Sequence, residues 1–295
     1  MTNNSVSGTT STISATTNGF ILQIAKLEEG AQHGGEQKSL EAFSTGATLS
    51  PASTDDFKHW YVCQGWDDKG LVTNYSIPPF ENGENAKPGN YKFGGKDYYA
   101  FIRSDYIVYT ITETGTADVY LALEDNKPPI NVSVKNGDGS ETVTGSMRVA
   151  ITTQAVGEDG HSATGPETVR VVYALNDDTG KGNDSTAKDG WTSIQNIDGV
   201  PKLELVTYPY IYTGNYTDQR ITGAKNWVAT KEGDNFTIPD NSEAIAKNVG
   251  YGGVVVHVYI WMEGTDSDCV NGKSIEGDPS TYDVEVKLAG VATGN

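Results

Sequence analysis

The chain has 295 residues, 36% of them hydrophobic, which is enough for a large domain with a real core and excludes a disordered chain. Its 39 acidic and 21 basic side chains give a formal net charge of −18, which repels nucleic acid and anionic membranes and attracts cations. Identical copies of such a chain also repel one another, so self-assembly requires neutralisation, extensive strand pairing, or both.

The N-terminal segment, residues 1–19, contains almost no hydrophobic side chain apart from Val6 and Ile13. Such a segment cannot form a core alone, which favours a flexible arm. Its Ser, Thr, Val and Ile residues nevertheless suit an extended strand, provided that a sheet edge is available to pair with it. Both interpretations of the arm stay open at this point.

Short apolar or alternating runs predict strands along most of the remaining chain. They lie at 20–27, 60–65, 98–102, 106–112, 118–123, 131–134, 146–153, 168–174, 202–207, 252–263 and 282–288. Residues 28–56 predict a loop with one strand at most, and residues 208–240 an irregular decoration. The best helix candidate is 242–249, with Ser242 as its N-cap and Gly250 after its end.

The clearest strand follows Gly252 and has strict period-two alternation, which only an extended strand satisfies. One face carries Val254, Val256, Val258, Ile260 and Met262, and the other carries Val255, His257, Tyr259, Trp261 and Glu263. Both faces are rich in β-branched or aromatic side chains, so the strand is expected to be covered on both sides.

Two further strands are predicted to be half-buried. The strand at 146–153 is expected to face Met147, Val149 and Ile151 inward and Arg148 outward, and the strand at 168–174 to place Val169 on one face with Val171 and Tyr173. Many strands, little helix and no clear linker predict an all-β fold, a jelly-roll-like antiparallel β-sandwich with long decorating loops. Residues 20–295 are expected to form this single domain.

The two cysteines, Cys63 and Cys269, leave two alternatives open: one long-range disulfide in an exported protein, or two buried thiols.

No apolar run reaches the length of a transmembrane helix, and no signal peptide follows Met1. The Ser/Thr/Asn-rich start suits the mature end of an exported protein with Met1 added for expression.

Catalytic motifs are absent from the sequence. The four histidines are scattered without zinc-ligand spacing, and there is no nucleophile elbow, phosphate loop or dinucleotide fingerprint. We therefore expect a protein that is not an enzyme.

Acidic, glycine-containing turns are candidates for calcium, because hard cations prefer several oxygen ligands on flexible turns. The candidate ligands are Glu263, Asp266 and Asp268 in one turn, Asp177, Asp178 and Asp184 in a second, and Asp138 in a third. For any one turn, the alternative is a solvated loop of an acidic protein.

Aromatic side chains in the irregular segment give a second functional hypothesis. Tyr208, Tyr210, Tyr212, Tyr216 and Trp227 could form a platform that stacks on sugars, which predicts a secreted carbohydrate-binding module with structural calcium. The alternative is that these rings form a lid over one open end of the sandwich.

Residues 259–269, YIWMEGTDSDC, resemble the W-x-E-G-x-D-x-D-C signature of secreted Gram-positive proteins of the TasA/camelysin group. The stretches at 18–24 and 49–53 are similar to the N-terminal portion of those chains. The resemblance covers both ends of the chain and leaves the middle unmatched.

This resemblance implies a jelly-roll subunit that polymerises head to tail into extracellular fibres, such as those of a biofilm matrix. In that family, and in the similar archaeal cannula subunits, an N-terminal donor strand of one subunit completes a sheet of the next. The corresponding strand here lies within 4–17, with interface residues Val6, Thr10, Thr12, Ile13 and Ala15. Camelysin-like members have been labelled metallopeptidases, but this chain has no zinc motif, so that activity is not expected here.

Overall fold

The fold is described from a computed structural model. The structure describes residues 6–18, 22–33, 39–69, 72–82, 86–124, 129–134, 146–174, 192–197, 200–207, 211–213, 227–266, 269 and 282–293.

Within these ranges the chain is almost entirely extended, and its one helical turn is a 3-10 helix at Leu27–Glu29. The strands are β1 (Val6–Asn18), β2 (Leu22–Lys26), β3 (Ser39–Leu49), β4 (Pro51–Ser53), β5 (Tyr61–Trp66), β6 (Val72–Ser76), β7 (Asn90–Phe93), β8 (Lys96–Tyr99), β9 (Ile102–Thr110), β10 (Ala117–Leu123), β11 (Ile130–Val134), β12 (Met147–Val156), β13 (Ala163–Ala174), β14 (Thr192–Ile197), β15 (Val200–Thr207), β16 (Ile211–Thr213), β17 (Val228–Glu232), β18 (Asn235–Thr237), β19 (Ala246–Val249), β20 (Val254–Glu263) and β21 (Tyr282–Ala292).

The strands form two large sheets and a separate β14–β15 hairpin. The ten-stranded sheet A has the order β18-β17-β10-β21-β1-β3-β8-β7, with β11 also paired to β21 and β19 to β10. The nine-stranded sheet B has the order β16-β13-β12-β20-β4-β5-β6, with β9 also paired to β20 and β2 to β9. Most neighbours are antiparallel, and the predicted all-β sandwich with little helix is confirmed.

Each sheet is built around one long central strand. In sheet B, β20 pairs with β12 along one side, and with β9 and then β4 along the other. In sheet A, β21 pairs with β1 along one side, and with β10 and β11 along the other. Both central strands are therefore paired along both edges over most of their length.

The main core lies between the sheets and takes alternate residues from both. The predicted inward face of β20 packs here, together with Val149 of β12, Val286 of β21 and Ile13 of β1. The alternation predicted for β20 is confirmed, because those inward side chains belong to this single cluster, which also contains Val284, Val286 and Leu288 of β21.

The outer face of sheet B is covered as well. Trp60 and Phe101 stack with ring centroids 4.2 Å apart and pack with Tyr259 and Trp261 of β20. Phe57 adds a ring edge-on to Trp261 from a loop where its own φ is 60°, a left-handed conformation that is costly for a bulky residue. The predicted two-sided cover of β20 is thus confirmed.

The predicted helix at 242–249 is wrong. The Ser242 hydroxyl donates to the Val228 carbonyl at 2.5 Å instead of capping a helix, and β19 pairs with β10. Asn248 has a φ of 51°, and its N–H donates to the Asp118 carboxylate at 2.8 Å. Tertiary pairing overrides local helix propensity in this segment.

Several strand boundaries also differ from the predictions. Residues 28–56 contain two strands, β3 and β4, and the segment 208–240 contains β16, β17 and β18. Residues 98–102 are not one strand, because β8 ends at Tyr99 and β9 begins at Ile102. These short strands are held by long-range partners, which local sequence does not show.

The faces of β12 and β13 also differ from the predictions. A bulge inserts Arg170, because Ile151 of β12 pairs with Val171 while Thr152 pairs with Val169. Val169 therefore packs on the outer face rather than with Val171. In β12, Arg148 lies on the outer face as predicted, but that face is buried.

Candidate functional site

The N-terminal strand lies in the middle of sheet A of its own chain. β1 runs parallel to β21 along ten positions, from Thr9 beside Tyr282 to Asn18 beside Val291. On its other side it runs antiparallel to β3, with two register shifts. The first and last strands of the chain are therefore neighbours, and the arm takes the extended form that its composition permits.

The five predicted interface residues all lie in β1. Their register is as follows: Val6 opposite Leu49, Thr10 between Asp283 and Ser44, Thr12 between Glu285 and Glu41, Ile13 between Val286 and Leu40, and Ala15 opposite Leu288. The side chain of Ile13 is fully buried in the main core. For the other four residues the structure gives the backbone position.

The position of β1 defines a slot between β21 and β3. If β1 left this slot, β21 would lose its partner along ten positions on that side, and the Ile13 site in the core would open. Unpaired backbone groups at a sheet interior are costly, so the slot requires an extended segment that matches its register.

The acidic turn after β20 begins with a buried carboxylate. Glu263 accepts hydrogen bonds from the Trp261 indole N–H at 3.0 Å, and from the N–H and hydroxyl of Thr265 at 3.1 and 2.9 Å. Burial raises the pKa of the Glu263 carboxyl, while Arg148 and these donors act in the lowering direction. Both carboxylate oxygens of Glu263 therefore already accept hydrogen bonds from other groups of the protein.

Asp266 in the same turn is paired with Arg148, which the sequence did not identify as its partner. Arg148 Nη2 lies 2.5 Å from Asp266 Oδ2, and both side chains are fully buried. Arg148 Nη1 also donates to the Met147 carbonyl at 3.0 Å. One feature of the sequence could have predicted this pair: Arg148 lies within an otherwise apolar and Thr-rich strand. An arginine is rarely buried unless a carboxylate is its partner.

These contacts weigh against calcium at Glu263 and Asp266, since their partners inside the chain would have to be displaced. The other candidate ligands, Asp268, Asp177, Asp178, Asp184 and Asp138, lie outside the described residues. Within the described ranges, no three His, Cys, Asp or Glu side chains gather so that they could hold a metal ion.

The aromatic platform is only partly within the described residues. Trp227 is 6% exposed and packs in the main core, so its ring is not available to stack on a sugar. Tyr212 lies in β16, where its backbone pairs with Tyr173. Tyr208, Tyr210 and Tyr216 lie outside the described residues.

His257 is buried and belongs to a polar network on the outer face of sheet B whose other members are partly exposed. Its Nδ1 lies 2.6 Å from Asp105 Oδ1, and its Nε2 lies 2.9 Å from Gln154 Oε1. The Gln154 amide nitrogen donates to the Gly165 carbonyl at 2.6 Å, which fixes the direction of the amide. Both ring nitrogens are occupied, so His257 has none left to act as a base on a substrate.

Asp105 completes this network with two contacts to Arg103, at 2.8 and 3.0 Å. Burial acts to raise the pKa of Asp105, but the hydrogen bond with His257 and the charge of Arg103 outweigh it and hold the pKa below its ordinary value. The network joins β9, β20 and β12 and is best explained as structural.

Comparisons of the chain with protein-family models, curated proteins and solved structures find no match. Among the described residues, no helix has the length and apolar character needed to cross a membrane. The geometry of β1 and its slot therefore carries the functional interpretation.

Proposed function

We propose that this protein is a non-enzymatic structural subunit of an extracellular filament or tubule, whose subunits are joined by their N-terminal strands. In the polymer, β1 of one subunit lies in the slot between β21 and β3 of the next. The observation that supports this most is the place of β1: it is the first strand of the chain, yet it lies inside sheet A between two strands.

A terminal strand can change partner at low cost. Only residues 19–21 separate β1 from β2, which lies in the other sheet, so β1 can leave without moving a second element of sheet A. The same backbone hydrogen bonds form again in a neighbouring copy, as in domain swapping. Because one copy donates and another accepts, the contact is head to tail and extends into a fibre or tube.

Two further observations support a structural role. Glu263, Asp266 and His257 all have hydrogen-bond or ion-pair partners inside the chain. The resemblance at 259–269 also points to fibre-forming subunits. Calcium enters this proposal as a cation that neutralises the charge of −18 between copies.

Deletion of residues 1–17 tests the role of β1. We expect negative-stain electron microscopy to show polymers of the full chain and none of the deletion variant. In the variant, no subunit carries a β1 strand that could insert into the slot of its neighbour. A synthetic peptide of residues 4–17 should bind the variant, raise its melting temperature and fail to restore polymers, since a free peptide fills the slot without linking two subunits. Polymers that persist unchanged in the deletion variant would contradict the proposal.

A single substitution tests the register of the same strand. Ile13→Asp places a charge in the core site of β1 and should abolish polymers, because an unpaired buried carboxylate costs several kcal/mol. Ser14→Ala is the matched control on the adjacent position, and we expect it to polymerise. Equal polymer yield from both variants would contradict insertion of Ile13 into a neighbour.

A further inference from the structure

Two cysteines that are distant in sequence contribute to the same part of the core. Cys63 lies in β5, Cys269 follows the turn after β20, and both are free thiols in the structure. Cys269 is fully buried in the main core, and Cys63 is partly buried against it. The sequence alone left open whether they pair.

Adjacent strands carry Cys63 toward the turn. Glu263, the last residue of β20, pairs with Ala52 of β4, and Ala52 pairs with Val62, the residue before Cys63. The N–H of Gly264 then donates to the Ala52 carbonyl at 2.9 Å. Cys63 therefore lies two strands away from the point where the chain turns toward Cys269.

Tyr75 spans the remaining distance. It is paired with Cys63 across β5 and β6, and a Cβ atom on Gly264 would lie 3.0 Å from its hydroxyl oxygen. The turn folds back on itself, since the N–H of Cys269 donates to the Asp266 carbonyl at 3.0 Å. Tyr75 thus has Cys63 beside it at one end and the turn with Cys269 at the other.

Electrostatic coupling agrees with this placement. Burial is the main cause that raises the pKa of the Cys269 thiol, and Asp266 and Cys63 add to it. The raised pKa of Tyr75 has the same origin, with contributions from Glu263 and from both cysteines after burial.

We propose that Cys63 and Cys269 are an oxidisable pair, and that a small organic disulfide converts them into an intramolecular disulfide bond. The bond fastens the turn after β20 to β5 and so to sheet B. This proposal does not depend on the assembly proposed above.

The unequal exposure of the two thiols sets the order of steps. Cys63 is only partly buried and lines a small crevice together with Pro51, Trp66 and Tyr91, whereas Cys269 is 0% exposed and cannot meet a reagent. The Cys63 thiolate attacks the organic disulfide, forms a mixed disulfide and releases one thiol. The Cys269 thiolate then attacks the Cys63 sulfur and releases the second thiol. Two protein thiols are oxidised, and one organic disulfide is reduced to two thiols.

The rate of the first step depends on pH. Burial raises the pKa of Cys63 to about 11, so the reactive thiolate is scarce near neutral pH. The rate should increase about tenfold per pH unit below that value. The product closes a long loop between β5 and the turn, and a melting temperature higher by about 5 °C is expected.

The experiment uses the full-length protein and oxidised glutathione at several alkaline pH values. We expect intact-mass spectrometry to show a loss of about 2 Da, for two hydrogens. Non-reducing peptide mapping should identify a Cys63–Cys269 cross-link in the monomer, and a reductant should reverse both the mass change and the rise in melting temperature.

Two variants separate the steps. Cys269→Ser should stop at a glutathione adduct on Cys63, and Cys63→Ser should not react, since Cys269 is buried. In the wild-type protein, a persistent glutathione adduct, a dimer linked through Cys63, or two unreacted thiols would each overturn the proposal. The wild-type result decides the question even if a variant does not fold.

Discussion

Polar side chains on the outer face of sheet B are held by partners that are distant in sequence. His257 contacts Asp105, 152 residues away, and Arg148 contacts Asp266, 118 residues away. Alternation predicted the face on which His257 lies, but a partner at such a separation is not visible in local sequence. Burial of these groups is stable only while each hydrogen bond is kept.

Asp105→Asn should therefore destabilise the fold in a pH-dependent way. The folded-state pKa of Asp105 lies below its ordinary value of 3.8, so its contribution is present above that pH and is lost as pH falls toward the lower value. Loss of charge-assisted hydrogen bonds to His257 and Arg103 should cost about 2 kcal/mol at pH 7 and less near pH 3. Urea unfolding at both pH values measures the difference.

The control for this variant is Asp234→Asn, which removes an exposed carboxylate in the turn between β17 and β18. Its effect should stay within about 0.5 kcal/mol at both pH values. If the loss in Asp105→Asn were the same at pH 7 and pH 3, the carboxylate charge would not be its source.

At the scale of the elements, long alternating runs were predictable and short strands were not. β20 and β21 show their faces in sequence because each is a long unbroken strand whose alternate side chains enter the main core. The segment 242–249 looked helical because alanines and a Ser cap favour a helix locally. Its backbone instead pairs with β10, and only the position of Ala117 and Val119 opposite β19 explains this.

Asn248 distinguishes the two conformations of this segment. In a helix, Asn248→Ala would stabilise the protein because alanine has the higher helix propensity. In the observed strand, Asn248 has a φ of 51°, so alanine should cost about 1 kcal/mol while Asn248→Gly is tolerated. Chemical denaturation of both variants measures the difference.

Lys247→Ala serves as the control for this prediction, because Lys247 is an exposed neighbour that is not among the positive-φ residues. It should change the free energy of unfolding by less than about 0.5 kcal/mol. A stabilising Asn248→Ala would contradict the left-handed conformation.

The lateral order of the strands was the least predictable feature of the whole molecule. Composition and strand count indicate a sandwich, but nothing in residues 6–18 shows that they lie beside Tyr282–Ala292 rather than at an outer edge. Thr and Ser side chains suit many sheet positions, and the buried side chain of Ile13 gives little register information by itself. The proposed assembly by this strand rests on that placement and must overcome the repulsion that the charge of −18 creates between copies.

The charge of −18 should make the proposed assembly sensitive to cations. Screening by any salt shortens the range of repulsion between copies, whereas a bound divalent ion also neutralises facing carboxylates. At equal ionic strength, about 5 mM CaCl₂ should therefore polymerise the full chain faster than about 15 mM NaCl.

Light scattering measures the rates, and electron microscopy identifies the product. Chelation of calcium after assembly should lower the yield of polymers only if ions are held between subunits. Equal rates in the two salts would assign the whole effect to screening and remove calcium from the assembly, while insertion of β1 would still be tested by the deletion variant.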